Sequence, residues 1–174
     1  DYPANFMLVC SMNPCPCGNF GNPAQECTCT PQQIQRYSGK ISGPLLDRID
    51  IHVEVPVVKY QELSSSRIGE KSDNVRDRVI SARKRQSERF KDTPGIYKNS
   101  DMGSKAIRKY CKLDDASQQL IKMAMTRLGL SARAYDRILK VSRTIADLSG
   151  FEEIKSEHVS EAIQYRSLDR EYWK

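Results

Sequence analysis

The chain has 174 residues, of which 39% are hydrophobic and 29% charged, and this composition excludes a disordered tail and a membrane protein. Its 28 basic and 22 acidic side chains leave a net charge of +6, which suits nucleic acid or nucleotide phosphates without requiring either. The longest apolar stretch, Phe6 to Cys10, is too short to cross a bilayer. Because nothing near Asp1 resembles a signal peptide, we expect a cytoplasmic location. The chain lacks an initiator Met and enters an apolar run at once, so we also expect it to be part of a longer polypeptide.

The first third of the chain predicts two strands and a helix. Residues 6–12 are apolar apart from Ser11, a pattern typical of a strand buried on both faces of a parallel sheet. Pro31 follows Thr30 and is suited to the first position of a short helix that Thr30 caps. Residues 51–55 alternate between apolar and polar side chains before Pro56, which predicts a second strand. We therefore assign residues 1–58 to the truncated remnant of an α/β core, in a chain whose predicted fold class is mainly α with a small β part (α+β).

The rest of the chain predicts a linker and a helical domain. Residues 59–73 are polar and rich in Ser, as linkers are. Residues 74–174 carry apolar stripes at helical spacing, which predict a bundle of four or five helices. The expected helices span about 74–91, 114–128, 131–148 and a last one that begins near Ser156. Side chains predicted to face the core of this domain include Val75, Val79, Ala82, Phe90, Ile121, Tyr135, Ile138, Leu139, Ile145, Ala146, Val159 and Ala162.

Four cysteines form a candidate metal site. Cys15 and Cys17 lie in Cys-Pro-Cys-Gly, and Cys27 and Cys29 lie in Cys-Thr-Cys-Thr. Four soft ligands suffice for a tetrahedral zinc ion with no open coordination position, so the site is expected to be structural. One residue rather than two separates each pair, which leaves iron–sulfur ligation open, and free reduced thiols are the simpler alternative. We expect Cys10 and Cys111, which lie outside the cluster, to be buried thiols.

Three polar residues are candidates for contact with a nucleotide. Asn13 follows an apolar strand, where side chains of open α/β sheets face the ligand crevice, although it could simply cap a turn. Arg48 lies on a short segment between apolar neighbours and suits stabilisation of a transferred phosphoryl group; an ion pair with Asp47 or Asp50 is the alternative. Arg133 lies at a predicted helix start, where a cation and helix amides can meet phosphate.

Arg137 and Lys140 continue the helical face of Arg133. A solvated basic face is the ordinary explanation for such a stripe.

Together, the motifs SMNPCPCG, CTCTP, SGPLLDRIDIHVEVP and LSARAYDRILKVSRTIADL resemble the ComM family, the magnesium-chelatase-like AAA+ ATPases also called YifB-type proteins. The resemblance covers almost the whole chain. It implies the end of an AAA+ α/β core with a zinc loop, followed by a helical lid. It also implies that Asn13 is sensor 1, that Arg48 is an arginine finger acting on a neighbouring subunit, and that Arg133 is sensor 2, with Arg137 as a further nucleotide-binding residue.

The chain lacks two motifs of a complete ATPase. It contains no G-x-x-x-x-G-K-[ST] phosphate loop and no apolar strand ending in Asp-Glu, so we expect this part alone to be inactive. The resemblance implies that the full-length protein binds ATP and Mg²⁺, forms a hexameric ring, and acts in DNA branch migration during natural transformation. Metal insertion into a tetrapyrrole and a non-enzymatic zinc-bearing nucleic-acid adaptor are the alternatives.

Overall fold

The computed structural model describes residues 6–56 and 69–166. They belong to two compact units, one ending at Ser42 and the other beginning at Gly43. Most of the predicted linker, residues 59–73, lies outside the described residues, and the proposed domain limits at 58 and 74 stay a prediction. The segment from Gly43 to Pro56 belongs to the same unit as the helices that follow.

The first unit consists of an extended segment, the cysteine loop and helix α1, Pro31–Ser38. Thr30 caps α1 as predicted. The Gln33 amide donates to Thr30 Oγ1 at 3.3 Å, and the Thr30 amide donates to Gln33 Oε1 at 2.8 Å. This reciprocal pair is a capping box, which satisfies two backbone donors at the start of the helix. The sequence therefore ends the cysteine loop at a defined residue.

The two predicted strands are not observed, since no strand is present within residues 6–56 or 69–166. Residues 6–12 are extended but exposed, and Met7 and Val9 are 87% and 80% accessible. Residues 51–55 also lack a ladder, with Val55 82% accessible. A strand needs a partner to bond its amides and carbonyls in series. Within the described residues neither run forms such a ladder, although the His52 amide donates to the Tyr165 carbonyl at 2.9 Å.

The second unit is helical, which confirms the predicted lid of four or five helices. A one-turn helix, α2, spans Gly43–Leu46, and a 3₁₀ turn spans Asn99–Asp101. The five helices of the bundle are α3, Ser72–Phe90; α4, Ser104–Tyr110; α5, Asp115–Leu128; α6, Ala132–Leu148; and α7, Ser156–Gln164.

Helix α6 lies at the centre of the bundle and contacts α3, α4 and α7. Its buried side chains include Ile138, Leu139 and Ala146, as predicted, and they share a core with residues of the surrounding helices. Leu139 is 3% accessible, whereas Tyr135, four residues earlier, is 36% accessible; the prediction that Tyr135 is buried was wrong because it lies in the first turn, at the edge of the core. Apolar periodicity thus located the helix but not the limit of its buried face.

Helix α3 buries less of its apolar stripe than its sequence predicts. Ala82 and Phe90 are 3% accessible, but Val75 and Val79 are 40% and 46% accessible. The buried positions are confined to the second half of the helix, from Ala82 to Phe90. The expectation that Val75 and Val79 face the core was therefore wrong.

The helix ends follow simple capping chemistry. Ser131 caps α6 by accepting a hydrogen bond from the Ala134 amide at 3.2 Å, and Gly129 ends α5 at a φ of 55°, a conformation that glycine adopts easily. Helix α7 begins at Ser156, close to where the sequence predicts, and the residue at its N-cap is Lys155. The Lys155 amide donates to Nδ1 of His158 at 3.0 Å.

A buried carboxylate joins three parts of the bundle. The Asp147 side chain is 0% accessible and lies between the guanidinium groups of Arg89 and Arg143. The whole side chains of these two arginines are 15% and 3% accessible. Asn99 donates to it at 2.9 Å. Arg143 also donates to the carbonyls of Glu152 and Phe151, at 2.6 and 2.7 Å. Charges buried to this degree persist only when paired and hydrogen-bonded, so these contacts fix α3, α6 and the loop after α6 together.

None of the helices in the described ranges is both long and apolar enough to cross a membrane.

Candidate functional site

The four predicted metal ligands meet in one cluster. The Sγ atoms of Cys15, Cys17, Cys27 and Cys29 all lie within 4.8 Å of one another. Cys15 is 3.3 Å from Cys17 and 3.7 Å from Cys27, and Cys17 is 3.6 Å from Cys27. Zn–S bonds of about 2.3 Å in a tetrahedron place neighbouring sulfurs about 3.8 Å apart. The observed spacing fits a single tetrahedral metal ion.

The backbone of the cysteine loop is shaped to face the sulfurs. Cys15 is fully buried, and the Phe20 amide donates to its Sγ at 3.4 Å. The turn that allows this closes by a hydrogen bond from the Gly18 amide to the Cys15 carbonyl at 3.0 Å. Gly18 has a φ of 83°, which disfavours any residue with a Cβ. The one-residue spacing of the first pair is thus compatible with a closed thiol cluster.

The environment of the cluster shifts its thiols in opposite directions, lowering the pKa of Cys17 and raising the pKa of Cys27 and of Cys29. Hydrogen bonds from the Asn19 backbone, from the Cys15 thiol and from the Thr28 backbone lower the pKa of Cys17 to about 5. A backbone hydrogen bond of Cys29 acts in the same direction on Cys27, but burial and the adjacent thiols of Cys17 and Cys15 raise the pKa of Cys27 to about 12. Burial also raises the pKa of Cys29. Thiolates held this close repel one another, which disfavours their ionisation. A divalent cation bound between them would compensate this repulsion.

The other two cysteines differ from each other. Cys111 is 5% accessible, as expected of a buried thiol, and burial raises its pKa to about 11. Cys10 is exposed, so the expectation that it is buried was wrong. Its exposure has the same cause as the missing strand, because the run from residue 6 to residue 12 has no described partner to cover it.

Asn13 lies at the base of the cysteine loop. Its side chain is exposed, and its Nδ2 lies 3.7 Å from where a Cβ of Gly18 would stand. Within residues 6–56 and 69–166 the side-chain amide of Asn13 makes no hydrogen bond, so the side chain does not cap a turn there. The amide is accessible to a ligand.

Arg48 is an exposed cation on a constrained backbone. Its amide donates to the Leu45 carbonyl at 2.9 Å, and its guanidinium donates to the Pro44 carbonyl at 2.7 Å. The two neighbouring carboxylates pair elsewhere: Asp47 Oδ1 lies 3.8 Å from Arg166, and Asp50 pairs with Arg137. The alternative in which Arg48 pairs with Asp47 or Asp50 is therefore not observed.

Arg133 and Arg137 lie one turn apart near the start of α6, so they share a face. Arg133, the second residue of the helix, is exposed. Arg137 is 26% accessible and its partner Asp50 57%. Lys140 donates to the Ser100 carbonyl at 2.9 Å. The expectation of a solvated basic face holds for Arg133, whereas the side chains of Arg137 and Lys140 contact other parts of the protein. Through Asp50, the Arg48 segment lies against the Arg133–Arg137 face.

Sequence reasoning missed Arg166 and the role of Asp50. Arg166 is 1% accessible and contacts the Arg48 segment across 117 residues of chain. No local pattern signals such a contact, because it depends on where α7 ends in space. Asp50 could have been suspected from its position beside Arg48, but its partner on α6 could not.

Comparison with known families supports an assignment. The protein-family model described as magnesium chelatase, subunit ChlI C-terminal, matches residues 69–166. A second family model, described as magnesium chelatase, subunit ChlI, matches residues 1–63. The first match alone covers more than half of the chain.

Three curated relatives extend the comparison. The chain is 43% identical over 170 residues to the competence protein ComM of Haemophilus influenzae and 42% identical over 171 residues to the uncharacterized protein YifB of Escherichia coli, with 97% of the chain aligned in each case. It is 35% identical over 167 residues, 95% of the chain, to an uncharacterized protein of Mycobacterium tuberculosis. In all three cases it spans 32% of the relative's length. By its sequence, the chain belongs to the magnesium chelatase subunit ChlI C-terminal family.

Proposed function

We propose that this chain is the sensing and trans-acting part of a ring-forming AAA+ ATPase. The observation that carries the proposal is the environment of Arg48. Its side chain is exposed, and its amide and guanidinium each donate to a backbone carbonyl of the preceding turn. The nearby carboxylates of Asp47 and Asp50 pair with other residues. A cation held in this way is ready to stabilise charge on a phosphoryl group supplied from outside its own unit.

The remaining roles follow the family resemblance. We assign sensor 1 to Asn13, whose amide is exposed, and sensor 2 to Arg133, with Arg137 as a further contact that would have to leave Asp50 to reach phosphate. The chain carries no phosphate loop, so ATP and Mg²⁺ would be bound by the full-length protein. Because Arg48 would complete the site of a neighbouring subunit, assembly into a ring, which we take to be a hexamer, becomes a condition of hydrolysis.

The decisive experiment replaces Arg48 in the full-length protein. Arg48→Ala should leave ATP affinity unchanged and lower turnover on the order of 10³-fold or more, the range associated with arginine fingers. Arg76→Ala is the matched control, since Arg76 is an exposed arginine of the same unit that pairs with Asp73. Equal loss of ATP binding, or turnover that survives Arg48→Ala, would refute the assignment.

We propose structural zinc for the cysteine cluster. Zinc bound by Cys15, Cys17, Cys27 and Cys29 would have no open coordination position, so it would stabilise the loop between Asn13 and α1 and supply no Lewis-acid chemistry. The donor set supports this, as do the raised pKa values of Cys27 and Cys29, because a bound divalent cation would favour their thiolates. The six unpaired cysteines also agree with a cytoplasmic location, where thiols stay reduced.

The metal proposal is tested by elemental analysis. About one zinc per chain is expected in the native protein. Cys27→Ser should abolish stoichiometric binding, whereas Cys10→Ser, which changes an exposed thiol outside the cluster, should not. Undamaged native protein without metal would contradict the proposal.

We propose DNA as the substrate on which the ATPase acts, specifically branch migration during recombination in natural transformation. The support is the 43% identity to a protein named for competence and the net charge of +6. The family description favours a second candidate, metal insertion into a tetrapyrrole. ATP-dependent migration of a branched DNA without porphyrin metallation supports the first, and the reverse result supports the second.

A further inference from the structure

A buried arginine lies against the residues on both sides of Arg48. The guanidinium of Arg166 donates through one terminal nitrogen to the Ile49 carbonyl. Its other terminal nitrogen lies 3.8 Å from Asp47 Oδ1. One side chain therefore contacts the residue before Arg48 and the residue after it. The Arg48 side chain itself remains exposed.

The backbone strengthens this attachment. The His52 amide donates to the Tyr165 carbonyl at 2.9 Å, and the Arg166 amide donates to the Ile163 carbonyl at 2.9 Å. Arg166 is thus placed by the turn that follows α7, and the segment from Asp47 to His52 is attached to that turn by both main-chain and side-chain bonds. Asp50 adds a contact to α6 through Arg137.

The chemistry of the guanidinium explains why an arginine suits this position. Arg166 is 1% accessible, and a cation removed from water to this extent is stable only when it is paired and hydrogen-bonded. The planar guanidinium presents its donors in a fixed fork. The hydrogen bond to the Ile49 carbonyl, with the Asp47 carboxylate at ion-pair distance from the other terminal nitrogen, therefore restricts the orientation of the group as well as its position. A lysine ammonium keeps the charge but has no such fork.

We propose that Arg166 is a positioning residue for Arg48: it fixes the direction in which the exposed guanidinium leaves the surface toward the neighbouring subunit's nucleotide. This inference rests on the proposed function of Arg48. Positioning matters because a shift of about 1 Å in a group that stabilises a transition state can cost on the order of 10²-fold in rate.

The first measurement is hydrogen exchange in the full-length protein. Arg166→Lys should increase amide exchange across residues 47–52 more than elsewhere in the bundle. Arg143→Lys is the matched control, because Arg143 is 2% accessible and also donates to two carbonyls, but those belong to Phe151 and Glu152. The control should raise exchange around residues 151–152 instead. Unchanged exchange across 47–52 in Arg166→Lys would overturn the inference.

The second measurement separates kcat from KM. Arg166→Lys should lower kcat for ATP hydrolysis on the order of 10- to 100-fold with KM unchanged, whereas Arg143→Lys should retain kcat per folded molecule. Asp47→Asn provides a second route, since its side chain is 34% accessible and its replacement should not prevent folding. It should also lower kcat, by less than Arg166→Lys does.

These outcomes keep the two proposals apart. If Arg48→Ala retains turnover, the proposed function fails whatever Arg166 does. If Arg48→Ala is inactive while Arg166→Lys and Asp47→Asn keep normal kcat, the positioning role fails and the function of Arg48 stands. A fall in kcat that merely follows the loss of folded protein, equal in Arg166→Lys and Arg143→Lys, also overturns the positioning role.

Discussion

Replacement of Asp147 by asparagine should destabilise the helical unit severely. The Asp147 carboxylate is 0% accessible, and it accepts hydrogen bonds from Arg89 at 2.7 Å and from Asn99 at 2.9 Å and pairs with Arg143 at 3.1 Å. Asp147→Asn preserves the size of the side chain and removes its charge. Two guanidinium groups would then lie side by side in the core without the carboxylate that compensates them.

The size of the effect follows from burial. Removing one partner from a buried ion pair costs about 3–5 kcal/mol. For a domain of about 100 residues each kcal/mol lowers the melting temperature by roughly 4–8 °C. The expected fall in Tm is therefore at least roughly 12 °C.

Urea and thermal unfolding followed by circular dichroism measure this loss. Asp73→Asn is the matched control: Asp73 also pairs with an arginine, Arg76, but the two side chains are 80% and 67% accessible. An exposed pair contributes only about 0–1 kcal/mol, so the control should unfold near the native midpoint. Equal effects of the two substitutions would refute the reasoning that burial decides the cost.

Three further predictions concern single side chains. The pKa of His158 is lowered, chiefly by burial. The contribution of its neutral form to stability should therefore be fully present above about pH 6.5, the ordinary value for histidine, and should be lost as the pH drops from there toward the lowered pKa. Urea midpoints at pH 7.5 and 5.5 should show this loss, and His158→Gln should flatten the pH dependence. Cys10 should react with a thiol reagent at pH 8 long before Cys111, whose pKa is raised to about 11, and labelling followed by mass spectrometry would contradict this if both reacted at one rate. Gly129→Ala should lower the free energy of unfolding by about 1 kcal/mol, because Gly129 has a φ of 55° and side chains with a Cβ disfavour that region; an unchanged urea midpoint would argue against it.

Local patterns predicted the helical unit well because helices are stabilised by residues near one another in sequence. Ser131 and Gly129 act at the helix ends as capping chemistry requires. The stripe that contains Ile138 and Leu139 defined the core face of α6. Strands were predicted poorly for the opposite reason, since the run from residue 6 to residue 12 can form a ladder only with a partner elsewhere in the chain or beyond it.

The candidate site was predictable in its parts and not in its connections. The spacing of Cys15, Cys17, Cys27 and Cys29 was sufficient to group them, because all four lie within one short loop. The partner of Asp50 and the contact of Arg166 with the Arg48 segment join residues that are 87 and 117 positions apart. Such contacts depend on the packing of α6 and α7, which no window of local sequence contains.

The arrangement of Arg143 has a consequence for the order of folding. Its partners Asp147, Phe151 and Glu152 all lie within nine positions of it, whereas Arg89 reaches Asp147 across 58 positions. Contacts between residues close in sequence form early, because they close short loops at little entropic cost. The end of α6 and its following loop can therefore neutralise their own buried charges before α3 docks. In kinetic terms, Asp147→Asn should slow folding, while Arg89→Met should mainly accelerate unfolding.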